Sequence, residues 1–164
     1  VFVGAGSVAL EFAEQAAFDT LLVAVGGGGL VAGCAAAIGA STRIVAVETE
    51  GTATLHEALR AGRPVDVAIS GVAADALGAT RIGTPNFEVA RQLVRQSVLV
   101  TDDAVRAAQR TLWEDLRVIA EPAGATGLAA LLSGVYRPEP GERVATLVCG
   151  ANTDLATFVQ NASA

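Results

Sequence analysis

An α/β fold with a mostly parallel sheet is predicted by three observations. An apolar run, Leu21-Leu22-Val23-Ala24-Val25, passes through four consecutive glycines, Gly26 to Gly29, into a small-residue stretch from Leu30 to Ala40. That is strand, glycine turn, helix. The run is continuous rather than alternating, as in a strand covered on both faces. A second strand, Arg43-Ile44-Val45-Ala46-Val47-Glu48, and a second helix, Thr52 to Ala61, follow. A strand–helix–strand–helix unit calls for parallel pairing with right-handed crossovers.

The remaining elements are read in chain order. Ser7 caps a first helix with apolar positions Val8, Leu10, Phe12 and Ala16–Ala17, ending near Asp19. Gly62 stops the Thr52–Ala61 helix. Residues 62–85 are rich in Gly, Ala, Pro and Ser and read as a long functional or interface loop with short structured pieces. Asn86 to Arg95 is a helix and Ser97 to Val100 a short strand. Thr101 or Asp102 caps an amphipathic helix, Asp103 to Leu116, whose core face is Val105, Ala108, Leu112 and Leu116. Pro122 suits the first turn of a helix running to about Leu132. Arg143 to Cys149 is a final buried strand, and the last residues form a short tail. Nothing divides the chain, so 1–164 is one unit.

Composition bounds the function. The 164 residues suffice for one domain with a sizeable core, at 52% hydrophobic and 17% charged. A net charge of -6 with no basic run argues against a nucleic-acid surface. Glycine and charge interrupt every apolar run before transmembrane length, and the first residues lack a basic leader pattern. Cys34 and Cys149 are far apart in sequence and suggest neither a metal site nor a disulfide framework, which suits a reducing cytoplasm. His56, the single histidine, has no Cys or His nearby in sequence and reads as a surface residue. All 11 basic residues are arginine, and there is no methionine. The missing initiator suggests a piece of a longer protein. Without lysine, no side chain here can form a Schiff base with an aldehyde cofactor.

The glycine loop carries the strongest chemical signal. Four glycines in a row cost backbone entropy and are kept for geometry. Main-chain N–H groups at a helix N-terminus close on an anion there, favoured by the macrodipole. A phosphate cradle is the expectation; a tight turn packing helix on sheet is the plainer alternative. The relaxed dinucleotide fingerprint fits Gly27, Gly29 and Ala32, with Glu48 where the ribose-binding acid belongs. A nucleotide-binding Rossmann module is therefore a rival reading. A P-loop is excluded, because it needs a lysine.

Several motifs stand in fixed order: Gly4-Ala5-Gly6-Ser7 with Glu11, Val25 to Leu30 with Ala32-Gly33, and Val45-Ala46-Val47-Glu48. Ile69-Ser70-Gly71-Val72, Glu121-Pro122-Ala123-Gly124-Ala125 and Val148-Cys149-Gly150-Ala151-Asn152 complete the set. Together they resemble the C-terminal half of the fold-type II pyridoxal-phosphate enzymes of the threonine/serine dehydratase family. The resemblance covers nearly the whole chain. It implies a three-layer sandwich, part of the large domain of a tryptophan synthase β-like enzyme.

The resemblance also implies roles. Gly26, Gly27, Gly28, Gly29 and Leu30 would hold the phosphate of pyridoxal 5'-phosphate. Cys149 matches the Ser or Cys beside the pyridine nitrogen, where a neutral group suits an elimination; by itself it reads as a buried small hydrophobe. Gly71 matches a loop glycine near the cofactor ring. Glu121 matches a glutamate on the cofactor side, or else a helix N-terminal carboxylate favoured by the dipole. Glu48 matches a divalent-cation ligand of some members. The acid that completes that site is replaced here by Thr54, so the expectation is a weak cation site at most, or an exposed strand-end acid.

The family's Schiff-base lysine belongs to an N-terminal half outside this sequence. The catalytic residue is therefore absent, and the chain alone is expected to be inactive. The parent is expected to be a lyase that turns L-threonine or L-serine into a 2-oxo acid and ammonia, as a cytoplasmic homodimer. A serine racemase-like or other β-elimination enzyme is the alternative on the same scaffold. A non-catalytic domain that only assembles with a partner is a third reading.

Overall fold

The computed structural model describes residues 2–163. Helix α1 (Phe2–Gln15) precedes strand β1 (Thr20–Ala24), helix α2 (Gly29–Ile38) and strand β2 (Arg43–Thr49). Helices α3 (Thr54–Ala61), α4 (Ala74–Leu77) and α5 (Thr84–Leu93) lead to strand β3 (Val94–Val100). Helices α6 (Asp102–Leu116) and α7 (Pro122–Leu132), strand β4 (Val144–Thr146) and helix α8 (Leu155–Ser163) close the chain.

The four strands form one sheet in the order β3-β2-β1-β4, and every pair is parallel. Successive side chains of a strand point to opposite faces, and the core divides accordingly. Leu21, Val23, Ile44 and Ala46 face one cluster with Val31, Ile38, Leu55 and Phe87 from α2, α3 and α5. Leu22, Val45, Val47, Val98 and Val100 face a second, with Val105, Ala108, Leu112, Ala125 and Ala129 from α6 and α7. The sheet thus lies between two helical layers, which is the three-layer α/β sandwich expected. Both faces of β1 and β2 are dry, so their apolar runs are continuous rather than alternating.

Several boundaries differ from the sequence reading. α1 begins at Phe2 rather than after Ser7, and the Ser7 hydroxyl donates to the Gly4 carbonyl at 2.7 Å inside the helix. The small residues of this turn let α1 lie on α2: a β-carbon at Gly6 would be 3.0 Å from the Gly33 carbonyl oxygen. Packing there outweighs the poor helix propensity of glycine. β4 is confined to Val144–Thr146 instead of running from Arg143 to Cys149, and Val148 and Cys149 are exposed rather than buried. It is an edge strand paired only to β1. Its pairing with β1 ends at Leu22 and Thr146, with the Leu147 amide donating to the Leu22 carbonyl just beyond.

Two more corrections concern the surface. Leu116, expected in the core, is 66% exposed, because α6 ends there and Arg117 turns the chain at a φ of 57°. The expected C-terminal tail is α8. Asp154 accepts hydrogen bonds from the Thr157 amide at 2.9 Å and the Thr157 hydroxyl at 2.7 Å, an N-terminal cap. Phe158 is buried edge-on against Trp113 at 6.2 Å, which docks α8 on α6. Among the described residues no helix is long and apolar enough to cross a membrane.

Candidate cofactor site

The chain lays down β1, β2 and β3 in one direction and then returns to place β4 on the other side of β1. In an open parallel sheet the crevice at such a reversal, beyond the carboxyl ends of the strands, is where ligands bind. Here it is bounded by the glycine loop after β1 and by residues 147–152 after β4.

The loop ends at Gly28, the N-cap of α2, with φ 84°. A β-carbon there would be strained by that φ and would stand 2.8 Å from Ile82 Cδ1. The first amides of α2 have no intrahelical acceptor, and the first turn holds no acidic side chain to repel an anion. A cleft of about 250 Å³ opens onto these amides, lined by Gly26 to Leu30 together with Glu121, Ala123 and Cys149. Seven of the eight residues expected to touch the cofactor therefore share one cavity.

Gly71 is the exception. It lines a neighbouring cavity with Glu50, Ser70 and Asp102. The Asp102 carboxylate accepts from the Val72 amide at 3.1 Å and so fixes this loop.

Glu121 and Cys149 come from the two segments that face the loop. Glu121 is the N-cap of α7, and its amide donates to the Gly150 carbonyl at 2.9 Å. Burial, then the nearby Asp75 carboxylate, raises the Glu121 carboxyl above its ordinary range. Cys149 is exposed, yet the protein around its sulfur and the Glu121 carboxylate push the thiol up. The group it offers the cleft at neutral pH is an uncharged thiol.

Glu48 differs from the sequence reading. It is fully buried, not an exposed strand-end acid. Its Oε1 accepts from the Leu55 amide at 2.7 Å and faces Thr54 Oγ1 at 3.2 Å. Its Oε2 accepts from the His56 amide at 2.8 Å and from Ser97 Oγ at 3.3 Å. Glu48, near the carboxyl end of β2, thus caps the start of α3 and is enclosed by its own partners, which counts against a ribose-binding role. Nor does it fit a cation: both oxygens are engaged, and among the described residues no three His, Cys, Asp or Glu side chains gather. Burial drives its carboxyl up to about 7 against these hydrogen bonds. His56 is half-buried rather than a surface residue, with Nδ1 3.3 Å from Ser97 Oγ.

Two residues that sequence reasoning did not connect to the loop hold its carbonyls. Thr54 Oγ1 donates to the Gly26 carbonyl at 2.6 Å, and Asn86 Nδ2 donates to the Gly27 carbonyl at 2.8 Å. They lie 28 and 59 residues from those glycines. No local pattern signals a contact at that separation.

A larger cleft, of about 750 Å³, opens at the amino ends of the strands among Asp19, Arg43, Arg95 and Glu142. In it Arg43 pairs with Glu142 at 3.1 Å, and Asp19 pairs with Arg143 at 3.2 Å. It lacks the backbone amides of the glycine-loop cleft. The latter fits pyridoxal 5'-phosphate, with free helix amides for the phosphate and a neutral thiol across the cavity.

Comparison with known proteins identifies the family. A family model described as pyridoxal-phosphate dependent enzyme matches residues 1–150. Phenylserine dehydratase from Ralstonia pickettii is 38% identical over 162 residues, covering 96% of this chain and 50% of that protein. The biosynthetic L-threonine dehydratase of Escherichia coli is 39% identical over 159 residues, covering 94% of this chain and 31% of that protein. The structure of maize serine racemase superposes with a TM-score of 0.87 at 36% identity, over 96% of this chain and 52% of that one. The chain thus spans half or less of the length of these two dehydratases.

Proposed function

Because this chain belongs to the pyridoxal-phosphate-dependent enzymes, we propose that it is the cradle-bearing part of a longer L-threonine/L-serine ammonia-lyase. The observation that carries the reading is the cleft itself: Gly26 to Leu30, running into the start of α2, line one cavity with Cys149. The similarity to phenylserine and threonine dehydratases supports the reaction class.

Pyridoxal 5'-phosphate, when bound, supplies the electron sink that lets the substrate α-proton leave. The glycine loop anchors its phosphate and so fixes its orientation. Cys149 would offer the cofactor ring a neutral thiol, a group that would not hold a pyridine nitrogen protonated. Glu121, which lines the same cleft, would add a carboxyl group to the surroundings of the ring. The β-hydroxyl of the substrate departs as water, and hydrolysis of the resulting enamine releases the 2-oxo acid and ammonia. This sequence has no lysine, so the lysine that carries the cofactor comes from outside it, and the chain alone is inactive. No divalent cation enters the reading. The whole enzyme is read as a cytoplasmic homodimer; two free cysteines, Cys34 and Cys149, suit a reducing compartment.

Serine racemisation is the second reading, supported by the likeness to maize serine racemase. The test is the full-length protein with pyridoxal phosphate, followed for 2-oxo acid from L-threonine and L-serine and for D-serine by chiral separation. Rapid 2-oxo acid formation is expected. D-serine without 2-oxo acid selects the racemase, and neither product refutes both.

A further inference from the structure

The cradle reading concerns the amides of the glycine loop, but the opposite side of the loop is held with equal care. The Gly26 carbonyl accepts the Thr54 hydroxyl at 2.6 Å. The Gly27 carbonyl accepts twice, from Asn86 Nδ2 at 2.8 Å and from the Gly83 amide at 3.2 Å. A trans peptide unit is planar, with its C=O and the following N–H directed oppositely. Fixing the carbonyls of Gly26 and Gly27 therefore fixes the N–H groups of Gly27 and Gly28, directed away from Thr54 and Asn86. Neither of those side chains lines the cleft, whereas the glycines do.

Thr54 is itself placed with care. It is fully buried at the first position of α3. Glu48 grips the next two amides of that helix, at Leu55 and His56, and lies 3.2 Å from the Thr54 hydroxyl. A hydroxyl has one proton to give, and the Gly26 carbonyl is its nearer acceptor. Without such restraint, a run of four glycines would sample many backbone states and lose that freedom on meeting an anion.

We propose that Thr54 and Asn86 are positioning residues of the phosphate cradle, which hold the Gly26 and Gly27 carbonyls so that the loop amides are aimed before the phosphate arrives. The inference rests on the cradle reading above. It assigns no contact between either side chain and the cofactor. Their effect is preorganisation of donors, as in other anion sites built from backbone amides.

The experiment uses the full-length apoenzyme titrated with pyridoxal 5'-phosphate and, separately, with pyridoxal. The phosphorus NMR signal of the bound phosphate is recorded for each variant. Thr54→Val keeps the shape and removes the donor. It is expected to weaken pyridoxal phosphate binding by about tenfold, to leave pyridoxal binding unchanged, and to shift and broaden the phosphorus signal. Thr54→Ser restores both. Asn86→Ala, from the outer side of the loop, is expected to act in the same direction by about fivefold and reports on the proposal if Thr54→Val fails to fold. Affinities of Thr54→Val and Asn86→Ala within twofold of the parent overturn it, as does an equal loss for both ligands. If the parent enzyme itself binds no pyridoxal phosphate, the cradle reading fails, and this inference fails with it.

Discussion

Gly124 in α7 lies directly against the Cys149 carbonyl: a β-carbon at Gly124 would overlap that oxygen. The thiol's place in the cleft is therefore set by how closely α7 approaches the segment after β4. Gly124→Ala should push Cys149 away from the glycine loop at a cost of about 3 kcal/mol. Urea denaturation of the full-length protein measures the cost. Loss of cofactor affinity in the still-folded variant measures the displacement.

Glu48 predicts a pH dependence. Its carboxyl is raised by burial from 4.5 to about 7. Between those values the folded chain holds a proton that the unfolded chain has released. Stability from this group is thus complete below about 4.5 and is lost as pH rises through about 7. The loss between about pH 5 and about pH 8 amounts to about 2–3 kcal/mol. Glu48→Gln, which cannot ionise, should flatten that part of the profile. Denaturation midpoints of both proteins at the two pH values check it; parallel profiles would contradict the assignment.

How far the sequence carried the fold can be judged from particular elements. The strand–glycine–helix unit was legible because Leu21 to Val25 and the four glycines form one uninterrupted pattern, and α7 because Pro122 marks its first turn. The burial of Glu48 is not legible in the sequence, because its partners, the amides of Leu55 and His56 and the hydroxyl of Ser97, meet it only once β2, α3 and β3 have packed. The loop-holding roles of Thr54 and Asn86 were hidden for the same reason. α8 was overlooked although Asp154 and Thr157 spell its cap, because the buried contact that stabilises it, Phe158 on Trp113, spans two distant helices. The ordered motifs gave the site residues a common setting, and the cleft unites all the expected cofactor contacts except Gly71.

That α8 contact yields a prediction of its own. Phe158 is 4% exposed and touches the single tryptophan. Phe158→Ala should cost about 3 kcal/mol and release α8 from α6. Trp113 emission should move to longer wavelength while cofactor binding persists. Unchanged emission would show that the helix docks elsewhere.

Gly28 tests the loop geometry. With φ 84° and Ile82 2.8 Å from any added β-carbon, Gly28→Ala should destabilise the protein by about 2 kcal/mol. The variant should also weaken pyridoxal phosphate binding by more than tenfold. Parent-like binding would place the phosphate elsewhere.

Whether the amides of Gly26 to Leu30 hold the cofactor phosphate is tested by comparing two ligands on one protein. Full-length apoenzyme is titrated with pyridoxal 5'-phosphate and with pyridoxal, which lacks only the phosphate. Charge-assisted bonds from several aligned amides predict at least about a hundredfold preference for the phosphorylated form. Equal affinity for the two would contradict the account.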